Sequence, residues 1–337
     1  MNARAFLAIL GTGGIERGER AAQGEWNTER LIREYEVACL ALDPDDPNVV
    51  YAGTKGRGII RSDDGGRTWQ PLGMEGHTVK AISVSPTQAD RIFAGTRPAY
   101  LFMSDDKGHT WRELEAFRKI RGRWFWFSPA DSPWTAYVQA IAVSPSDPNV
   151  LLAGIELGAV VRSTDGGRTW SNHLRGSLRD CHSMRFHHSD GRWVYEAGGS
   201  GGGAAVSRDG GATWAKRTRG LDRSYGWACA ADPGRPEVWY ASLAPGPGKA
   251  HVNGKALAYI YRADGGAAWK RLSGGLPQPL TSMPYALLTD PDAPGHLYAG
   301  MGDGQVWHSP DYGESFQRLP VQLSGIHRSM VMLTERT

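Results

Sequence analysis

Three carboxylates and one histidine are the residues best suited to acid–base chemistry in this chain: Glu36, Glu156, Asp180 and His182. Two facing carboxylates can serve as acid and base, as cleavage of a glycosidic bond requires. His182 is the best candidate for a proton shuttle, because the ordinary pKa of histidine lies near neutrality. The sequence lacks the spacing of a His–carboxylate–His metal triad, so we expect neither a metal nor a cofactor.

A repeated octapeptide indicates how these side chains are positioned. Its six copies begin at residues 62, 104, 163, 207, 262 and 309 and read SDDGGRTW, SDDKGHTW, STDGGRTW, SRDGGATW, RADGGAAW and SPDYGESF. Before each copy come a first strand, a turn and a second strand with small residues, such as VVYAGT. Period-2 runs broken by Asp, Pro and Gly turns are typical of antiparallel strands. Each repeat therefore predicts a four-stranded meander, the unit of a propeller blade.

The octapeptide itself has a structural explanation. Its Ser at position 1 and Asp at position 3 can accept hydrogen bonds from the backbone of the turn. Its Gly at position 5 permits a positive φ, and its Trp can pack between sheets. One carboxylate per turn is too few for Ca²⁺, which takes roughly 6–8 oxygen ligands. We therefore expect a structural turn.

The two ends of the chain favour a seventh blade. AFLAILGTGG (residues 5–14) has the pattern of a second strand with no first strand before it, and IHRSMVMLT (residues 326–334) has the pattern of a first strand. Joining them would complete an all-β, seven-bladed propeller whose last blade holds both terminal strands, and this would pair otherwise open sheet edges. The alternative is a six-bladed ring with an N-terminal extension.

S-x-D-x-G-x-T-W resembles the Asp-box, or BNR, repeat, and its copies span nearly the whole chain. Proteins with this repeat include sialidases, xyloglucan-active glycoside hydrolases, sortilin-type sorting receptors and the photosystem II assembly factor. The resemblance implies a β-propeller with each box between the third and fourth strands, away from the ligand face. It implies no single function, because one fold hosts many functions.

The chain departs from each of these relatives. The Arg-Ile-Pro segment of sialidases does not occur in it, so we expect that it is not a true sialidase. Xyloglucan-active enzymes pair two propellers across a cleft, whereas 337 residues suffice for one. Sorting receptors are secreted and rich in disulfides, whereas this chain has 3 cysteines. The assembly factor is exported, whereas no leader is visible here, so we expect a cytoplasmic protein.

The face opposite the boxes is where the blades differ. Aligning the first strands gives one column near that face: Ala38, Lys80, Gln139, His182, Trp227, Tyr285 and Arg328. A second column lies two residues earlier: Glu36, Thr78, Tyr137, Asp180, Tyr225 and Met283. Because these residues are polar or aromatic and do not repeat, they predict a ligand pocket at the channel mouth. The alternative is that they only fill a wet channel.

Further residues extend this predicted pocket. The loops between second and third strands add Arg97 and Glu156, and His327 and His251 are further candidate bases or ligands. We expect anion binding by Lys80, Arg97 and Arg328. The remaining predicted ligand contacts are Gln139, Tyr225, Trp227, Tyr285 and His327.

Two insertions account for the long intervals between boxes. RKIRGRWFWFSPADSPW (residues 118–134) precedes the third blade, and APGPGKAHVNGK (residues 244–255) interrupts the fifth. We expect both to overhang the predicted ligand face. The Trp-rich loop 118–134 suits stacking on a sugar or aromatic ligand, and it equally suits a protein partner.

Composition narrows the remaining function classes. The net charge of +3 comes from 38 basic and 35 acidic residues, which is too balanced for a nucleic-acid or membrane surface. We expect one propeller domain over residues 1–337 with a small polar or carbohydrate-like ligand. The first hypothesis is a carbohydrate-active or other small-molecule hydrolase or lyase. The second is a non-catalytic interaction or assembly scaffold.

Overall fold

Seven antiparallel sheets form a ring in this protein, described by a computed structural model over residues 3–130, 133–199 and 201–334. The first strand of each sheet contacts the first strand of the next sheet, which closes the ring around a central channel. The predicted seven-bladed β-propeller is therefore confirmed, and the six-bladed alternative is wrong.

The blades are numbered from the first one after the N-terminal segment. The N-terminal segment holds β1 (Ala3–Ile9), β2 (Ile15–Arg20) and β3 (Trp26–Ile32). Blade 1 holds β4 (Val37–Leu42), β5 (Val50–Thr54), β6 (Ile59–Ser62) and β7 (Gln70–Pro71), and blade 2 holds β8 (Thr78–Ser85), β9 (Gln88–Arg97), β10 (Leu101–Ser104) and β11 (Arg112–Glu113). Blade 3 holds β12 (Val138–Val143), β13 (Leu151–Ile155) and β14 (Val160–Ser163), and blade 4 holds β15 (Cys181–Phe186), β16 (Val194–Gly198), β17 (Gly203–Ser207) and β18 (Ala215–Lys216). Blade 5 holds β19 (Tyr225–Ala231), β20 (Val238–Ala244), β21 (Tyr259–Asp264) and β22 (Lys270–Leu272), and blade 6 holds β23 (Pro284–Asp290), β24 (Ala293–Met301), β25 (Gln305–Ser309) and β26 (Gln317–Gln322). The last strand is β27 (Met330–Thr334).

Blade 7 joins the two ends of the chain. Its strand order is β27-β1-β2-β3, so the C-terminal strand is the inner strand and the N-terminal segment supplies the other three. The antiparallel register pairs Phe6 with Met332 and Leu7 with Val331. Trp26 begins the outer strand β3, whereas the box Trp directly precedes the outer strand in blades 1, 2 and 4.

The second strand of each blade explains the recurring Ala-Gly of the sequence. These strands are covered by neighbouring blades on both faces, so their residues are buried throughout, as in β5, β13 and β16. A Cβ at Gly95 would lie 2.5 Å from Val138 Cγ1 of the next blade, and one at Gly154 would lie 2.3 Å from Cys181 Sγ. Glycine at these positions lets the blades come close together near the axis.

The octapeptides form the turns between third and fourth strands. In blade 1, the Ser62 hydroxyl accepts a hydrogen bond from Gly66 N–H (2.8 Å) and donates one to Asp64 Oδ1 (2.8 Å). Asp64 also accepts from Thr68 N–H (2.9 Å) and from the Thr68 hydroxyl (2.7 Å). The same Ser–Asp–Thr/Ser network recurs in the boxes of blades 2, 3, 4 and 6. The turn interpretation of the box is confirmed.

Besides blade 7, which has no octapeptide, two blades depart from the repeat among the described residues. The box of blade 5 has Arg262 in place of Ser, and Asp264 lies beside Arg235 instead (3.3 Å). Blade 3 has three regular strands. After its box, Ser171 N–H donates to Arg162 O and Leu174 N–H to Val160 O, so the chain still follows β14.

The helices of the described residues lie in the two predicted insertions or next to them. Two 3₁₀ helices, Glu115–Lys119 and Arg123–Phe125, connect blades 2 and 3. A short α-helix, α1 (Pro247–Ala250), lies between β20 and β21. No described helix has the length and apolar character that a membrane span needs.

Candidate functional site

One residue from each inner strand, or from directly before it, faces the central channel. The channel holds a cavity of ≈ 210 Å³. All seven residues of the first aligned column line it: Ala38, Lys80, Gln139, His182, Trp227, Tyr285 and Arg328. The blades are the same backbone unit, so the differences between these side chains give the channel its chemical character.

Glu156, Asp180 and His182 converge at this channel from two blades. Glu156 follows β13 of blade 3, where its N–H donates to Tyr137 O (3.1 Å), and Asp180 and His182 lie at the start of β15 in blade 4. His182 Nε2 is 3.5 Å from Asp180 Oδ1 and 3.6 Å from Glu156 Oε2. The other ring nitrogen, Nδ1, is 2.7 Å from Gly226 O of blade 5. Because a carbonyl can only accept, Nδ1 carries a proton and Nε2 faces the carboxylates.

Burial and charge shift the proton affinities of these three groups, which we call the acid–base cluster. Burial raises the pKa of Glu156, and this effect exceeds the lowering by nearby His182. Burial alone would lower the pKa of His182, but the contact with Asp180 and the charge of Glu156 outweigh it and raise this pKa. The cluster can therefore hold a proton between carboxylate and imidazole, as acid–base catalysis requires.

The acid–base cluster also has the composition of a cation site. Its three ligand atoms all lie within 4.8 Å of one another, and His with two carboxylates is a donor set that divalent metals accept. The sequence-based expectation of no metal remains a prediction. Metal addition therefore belongs among the tests of the site.

A network of aromatic residues and histidines surrounds His182. Its ring is 4.6 Å from the Trp227 ring and 5.0 Å from that of Tyr225, measured between centroids. His251, which follows α1 in the second insertion, is 2.8 Å from the Tyr225 hydroxyl through Nε2 and 2.7 Å from the Tyr285 hydroxyl through Nδ1. Burial, with the charge of Arg328, lowers the pKa of His251 to about 4. His251 is thus neutral near pH 7, with one donor and one acceptor for the two tyrosines.

Two cations, Lys80 and Arg328, also line the channel. The Lys80 ammonium is 4.6 Å from the centre of the Tyr137 ring, within the range of a cation–π contact. Arg328 adopts a left-handed backbone conformation (φ 70°), and its carbonyl accepts a hydrogen bond from Trp227 Nε1 (3.1 Å). The channel thus combines an imidazole of the acid–base cluster with two cations.

Several predicted site residues lie apart from the acid–base cluster, in a pocket of ≈ 520 Å³. Glu36 is there, 66% exposed and paired with Lys55 (2.9 Å), so it does not face Glu156 across a shared cavity. Arg97 lines the same pocket and donates to Pro133 O (2.6 Å). His327 also lines it, and burial lowers its pKa to about 4. Lys80 and Arg328 border both this pocket and the channel cavity.

The Trp-rich insertion builds a third feature, a groove of ≈ 1110 Å³ beside blades 3 and 4. Its wall includes Phe125, Trp126 and Phe127, and its cationic residues are Arg121, Arg175, Arg179 and Lys216. Sequence reasoning identified the insertion but not the three cations after residue 134. They lie outside the first strands, so the alignment of those strands could not reveal them.

One protein-family model matches part of this chain. The family model for sortilin and neurotensin receptor 3 (Sortilin-Vps10) matches residues 57–188, which span three of the boxes. The chain carries the Asp-box repeat in this segment and folds as a seven-bladed β-propeller. A search of curated proteins gives no match for it.

Solved structures similar to this Asp-box propeller belong to different functional classes. The GH74 xyloglucanase from Xanthomonas campestris has a TM-score of 0.70 at 19% identity, covering 94% of this chain and 52% of its own. YCF48 from Cyanidioschyzon merolae has a TM-score of 0.58 at 15% identity, covering 87% of this chain and 88% of its own. YCF48 bound to D1 peptide has a TM-score of 0.56 at 16% identity, covering 84% of this chain and 80% of its own. Our chain spans about half the length of the xyloglucanase, and these identities establish the fold alone.

Proposed function

We propose that this propeller is an acid–base enzyme that acts on a small, anionic, carbohydrate-like molecule at the channel mouth. The observation that carries the proposal is the acid–base cluster, in which His182 Nε2 lies 3.5 Å from the buried Asp180 carboxylate and 3.6 Å from the partly buried Glu156 carboxylate, beside a polar cavity. Titratable groups with shifted pKa values in a concave site are typical of catalytic centres.

Each part of the channel has a role in this proposal. His182 exchanges a proton with the substrate, and Asp180 and Glu156 tune its proton affinity. Lys80 and Arg328 bind the anionic group of the substrate, and Trp227 and Tyr285 pack against its ring. The Tyr225 hydroxyl, held by His251, is a neutral donor because burial raises the pKa of Tyr225 well above its usual value.

The spacing of the carboxylates favours a lyase-type proton transfer over ordinary glycoside hydrolysis. Paired carboxylates of glycosidases lie roughly 5–5.5 Å apart in retaining enzymes and 6.5–9.5 Å apart in inverting ones. Those of the acid–base cluster are within 4.8 Å, and His182 contacts both. A base in one cavity with two cations suits removal of a proton next to a carboxylate, since the cations stabilise the developing negative charge.

The test combines ligand binding with turnover. Wild type is screened by thermal shift against uronic acids, neutral sugars and divalent metals, and acidic disaccharides are assayed for unsaturated and reducing products. We expect stabilisation by acids over neutral sugars, and at least a hundredfold loss of turnover in His182→Gln.

The control variant is His109→Gln, which changes an exposed histidine of the second box and should leave turnover unchanged. Glu156→Gln provides a second site variant if His182→Gln does not fold. Full turnover in a folded His182 or Glu156 variant contradicts the proposal, and so does the absence of any ligand response.

A second candidate function, a protein-interaction scaffold, is favoured by a different observation. Trp124 is 91% exposed, Phe125 81% and Trp134 69%, all within the Trp-rich loop. Aromatic side chains exposed together are typical of interaction surfaces, and one structural neighbour is a propeller bound to a peptide. Double substitution of Trp124 and Trp134, which do not line the groove beside the Trp-rich insertion, by serine should abolish partner capture but leave thermal shifts by sugar acids unchanged.

A further inference from the structure

The groove beside the Trp-rich insertion has a one-sided charge distribution. Among the described residues that line it, every charged side chain is cationic: Arg121, Arg175, Arg179 and Lys216. All four are exposed, and within residues 3–130, 133–199 and 201–334 none forms an ion pair with a carboxylate. A ligand with several negative charges therefore gains attraction here without displacing a protein carboxylate.

One wall of the groove is aromatic and is anchored to the propeller. Phe117 is fully buried, and its ring lies 5.8 Å from that of Trp126. Trp126 in turn lies close over Gly158, where a Cβ would come 3.0 Å from Trp126 Cγ. These buried contacts fix the loop, while Phe125 and Phe127 stay exposed along the groove. Ring faces held in this way can pack against the apolar faces of sugar rings without much loss of side-chain entropy.

The floor of the groove is formed by backbone that directly adjoins the acid–base cluster. Leu157 and Gly158 line the groove directly after Glu156, and Arg179 lines it directly before Asp180. Gly199 also lines it, and a Cβ there would lie 2.3 Å from Asp180 Oδ2 and 2.9 Å from His182 Cε1. Only a glycine backbone therefore separates this part of the groove from the cluster.

We propose that this groove binds an acidic oligosaccharide alongside the acid–base cluster. The inference rests on the proposed function and identifies its substrate class as an anionic glycan. Cations at several points along the groove match the regular negative charges of such a chain, and the aromatic wall matches its sugar rings. A neutral glucan offers no partner for the four cations.

Calorimetry on the full chain tests this inference with defined probes. The titrants are a galacturonic acid hexamer, a sulfated oligosaccharide of similar length, a neutral cello-oligosaccharide and an oligoglutamate. We expect at least one anionic glycan to bind at least tenfold more tightly than the neutral glycan, and the two anionic glycans distinguish carboxylate from sulfate. High salt should weaken this binding, because the contacts are exposed ion pairs.

Matched variants locate the binding and separate it from catalysis. Arg175→Ala/Arg179→Ala should weaken hexamer binding at least tenfold, whereas Arg219→Ala, an exposed arginine that does not line the groove, should not. His182→Gln should keep hexamer binding even though turnover is lost, so groove binding and the proposed catalysis can fail independently. Tight binding of oligoglutamate alone, or no binding of either anionic glycan, would overturn the inference.

Discussion

Carboxylates of the box turns and carboxylates of the channel mouth have opposite environments in the same fold. Burial is the largest single effect on Asp64 and disfavours its charged form, but the hydrogen bonds from Thr68, Ser62 and Arg67 together outweigh it and lower its pKa to about 2. Glu156 at the channel mouth has a raised pKa, chiefly because of burial. Box carboxylates are stabilised as anions by their own octapeptide, whereas Glu156 depends on groups from other segments.

This difference explains which of the two regions can perform chemistry. A carboxylate that accepts several local hydrogen bonds is a poor proton acceptor and repeats wherever the same turn is needed. A buried carboxylate next to an imidazole can exchange its proton near neutral pH. The local hydrogen-bond network, rather than the acidic residue itself, distinguishes the structural motif from the candidate site.

The largest expected effect concerns a third kind of carboxylate, Glu196 in β16. It is fully buried, and burial raises its pKa to about 8 despite the hydrogen bond from Leu178 N–H (2.9 Å). The folded protein keeps this proton up to about pH 8, whereas the unfolded chain releases it above about pH 4.5. Stability should therefore fall as pH rises from 4.5 to 8. Glu196→Gln should remove this pH dependence. The free energy of unfolding of the variant, relative to that of wild type, should therefore rise by roughly 5 kcal/mol at most between pH 4.5 and pH 8.

Urea unfolding of both proteins at several pH values measures this difference. Gln keeps the acceptor for Leu178 N–H and the approximate shape of a protonated Glu. A difference between the two proteins therefore reports the ionisation of Glu196 alone. If the two stability curves run parallel from pH 4.5 to 8, Glu196 is not held protonated, and its environment resembles that of the box carboxylates.

The next largest expected effect is the loss of stability when the box Asp is removed, compared between the intact box of blade 4 and the box of blade 5, which lacks the Ser. Asp209 accepts hydrogen bonds from the Ser207 hydroxyl (2.8 Å), Thr213 N–H (2.8 Å) and the Thr213 hydroxyl (2.6 Å). Asp209→Ala should lower the free energy of unfolding by about 2 kcal/mol. These contacts lower the pKa of Asp209, so the difference should be present above about pH 4 and disappear as pH falls through the folded-state pKa.

Asp264→Ala in the box of blade 5 is the matched control. Asp264 lies beside Arg235 at the surface, so we expect a change below about 0.5 kcal/mol. Thermal and urea unfolding of the two variants give the comparison. Equal losses in both boxes would mean that the Ser–Asp–Thr network is not the source of the stabilisation.

The repeat made the fold predictable from the sequence. The boxes marked the third-to-fourth turns, and the incomplete patterns at residues 5–14 and 326–334 predicted the shared blade 7. Alignment of the first strands also predicted the channel lining, because one position of each inner strand faces the axis. These features follow from a period that each blade repeats.

The pairing of side chains across blades could not be predicted in the same way. Glu36 and Glu156 lie on the same predicted face. Glu36 pairs with exposed Lys55, whereas Glu156 lies 3.6 Å from the buried His182 ring. The groove cations, such as Arg175 and Arg179, lie in connections that do not repeat, so no alignment of blades places them. Such contacts depend on the course of individual loops in three dimensions.

The smallest expected effect uses these two glutamates to test the channel-mouth environment directly. The raised pKa of His182 depends on Asp180 and on the charge of Glu156. Glu156→Gln should therefore lower the pKa of His182, whereas Glu36→Gln, which changes an exposed carboxylate paired with Lys55, should leave it unchanged. The shift can be followed by NMR titration of the His182 ring protons in the three proteins.

The same two variants also test how the contribution of His182 to the free energy of unfolding changes with pH. Because the folded-state pKa of His182 is raised, its contribution is fully present below about pH 6.5 and is lost as pH rises through the folded-state pKa. Glu156→Gln should reduce this contribution and move its loss to lower pH. A His182 titration that is identical in wild type and Glu156→Gln would show that Asp180 alone sets the proton affinity. Glu156 would then have no part in acid–base chemistry, and the contrast with the box carboxylates would rest on Asp180 and His182 only.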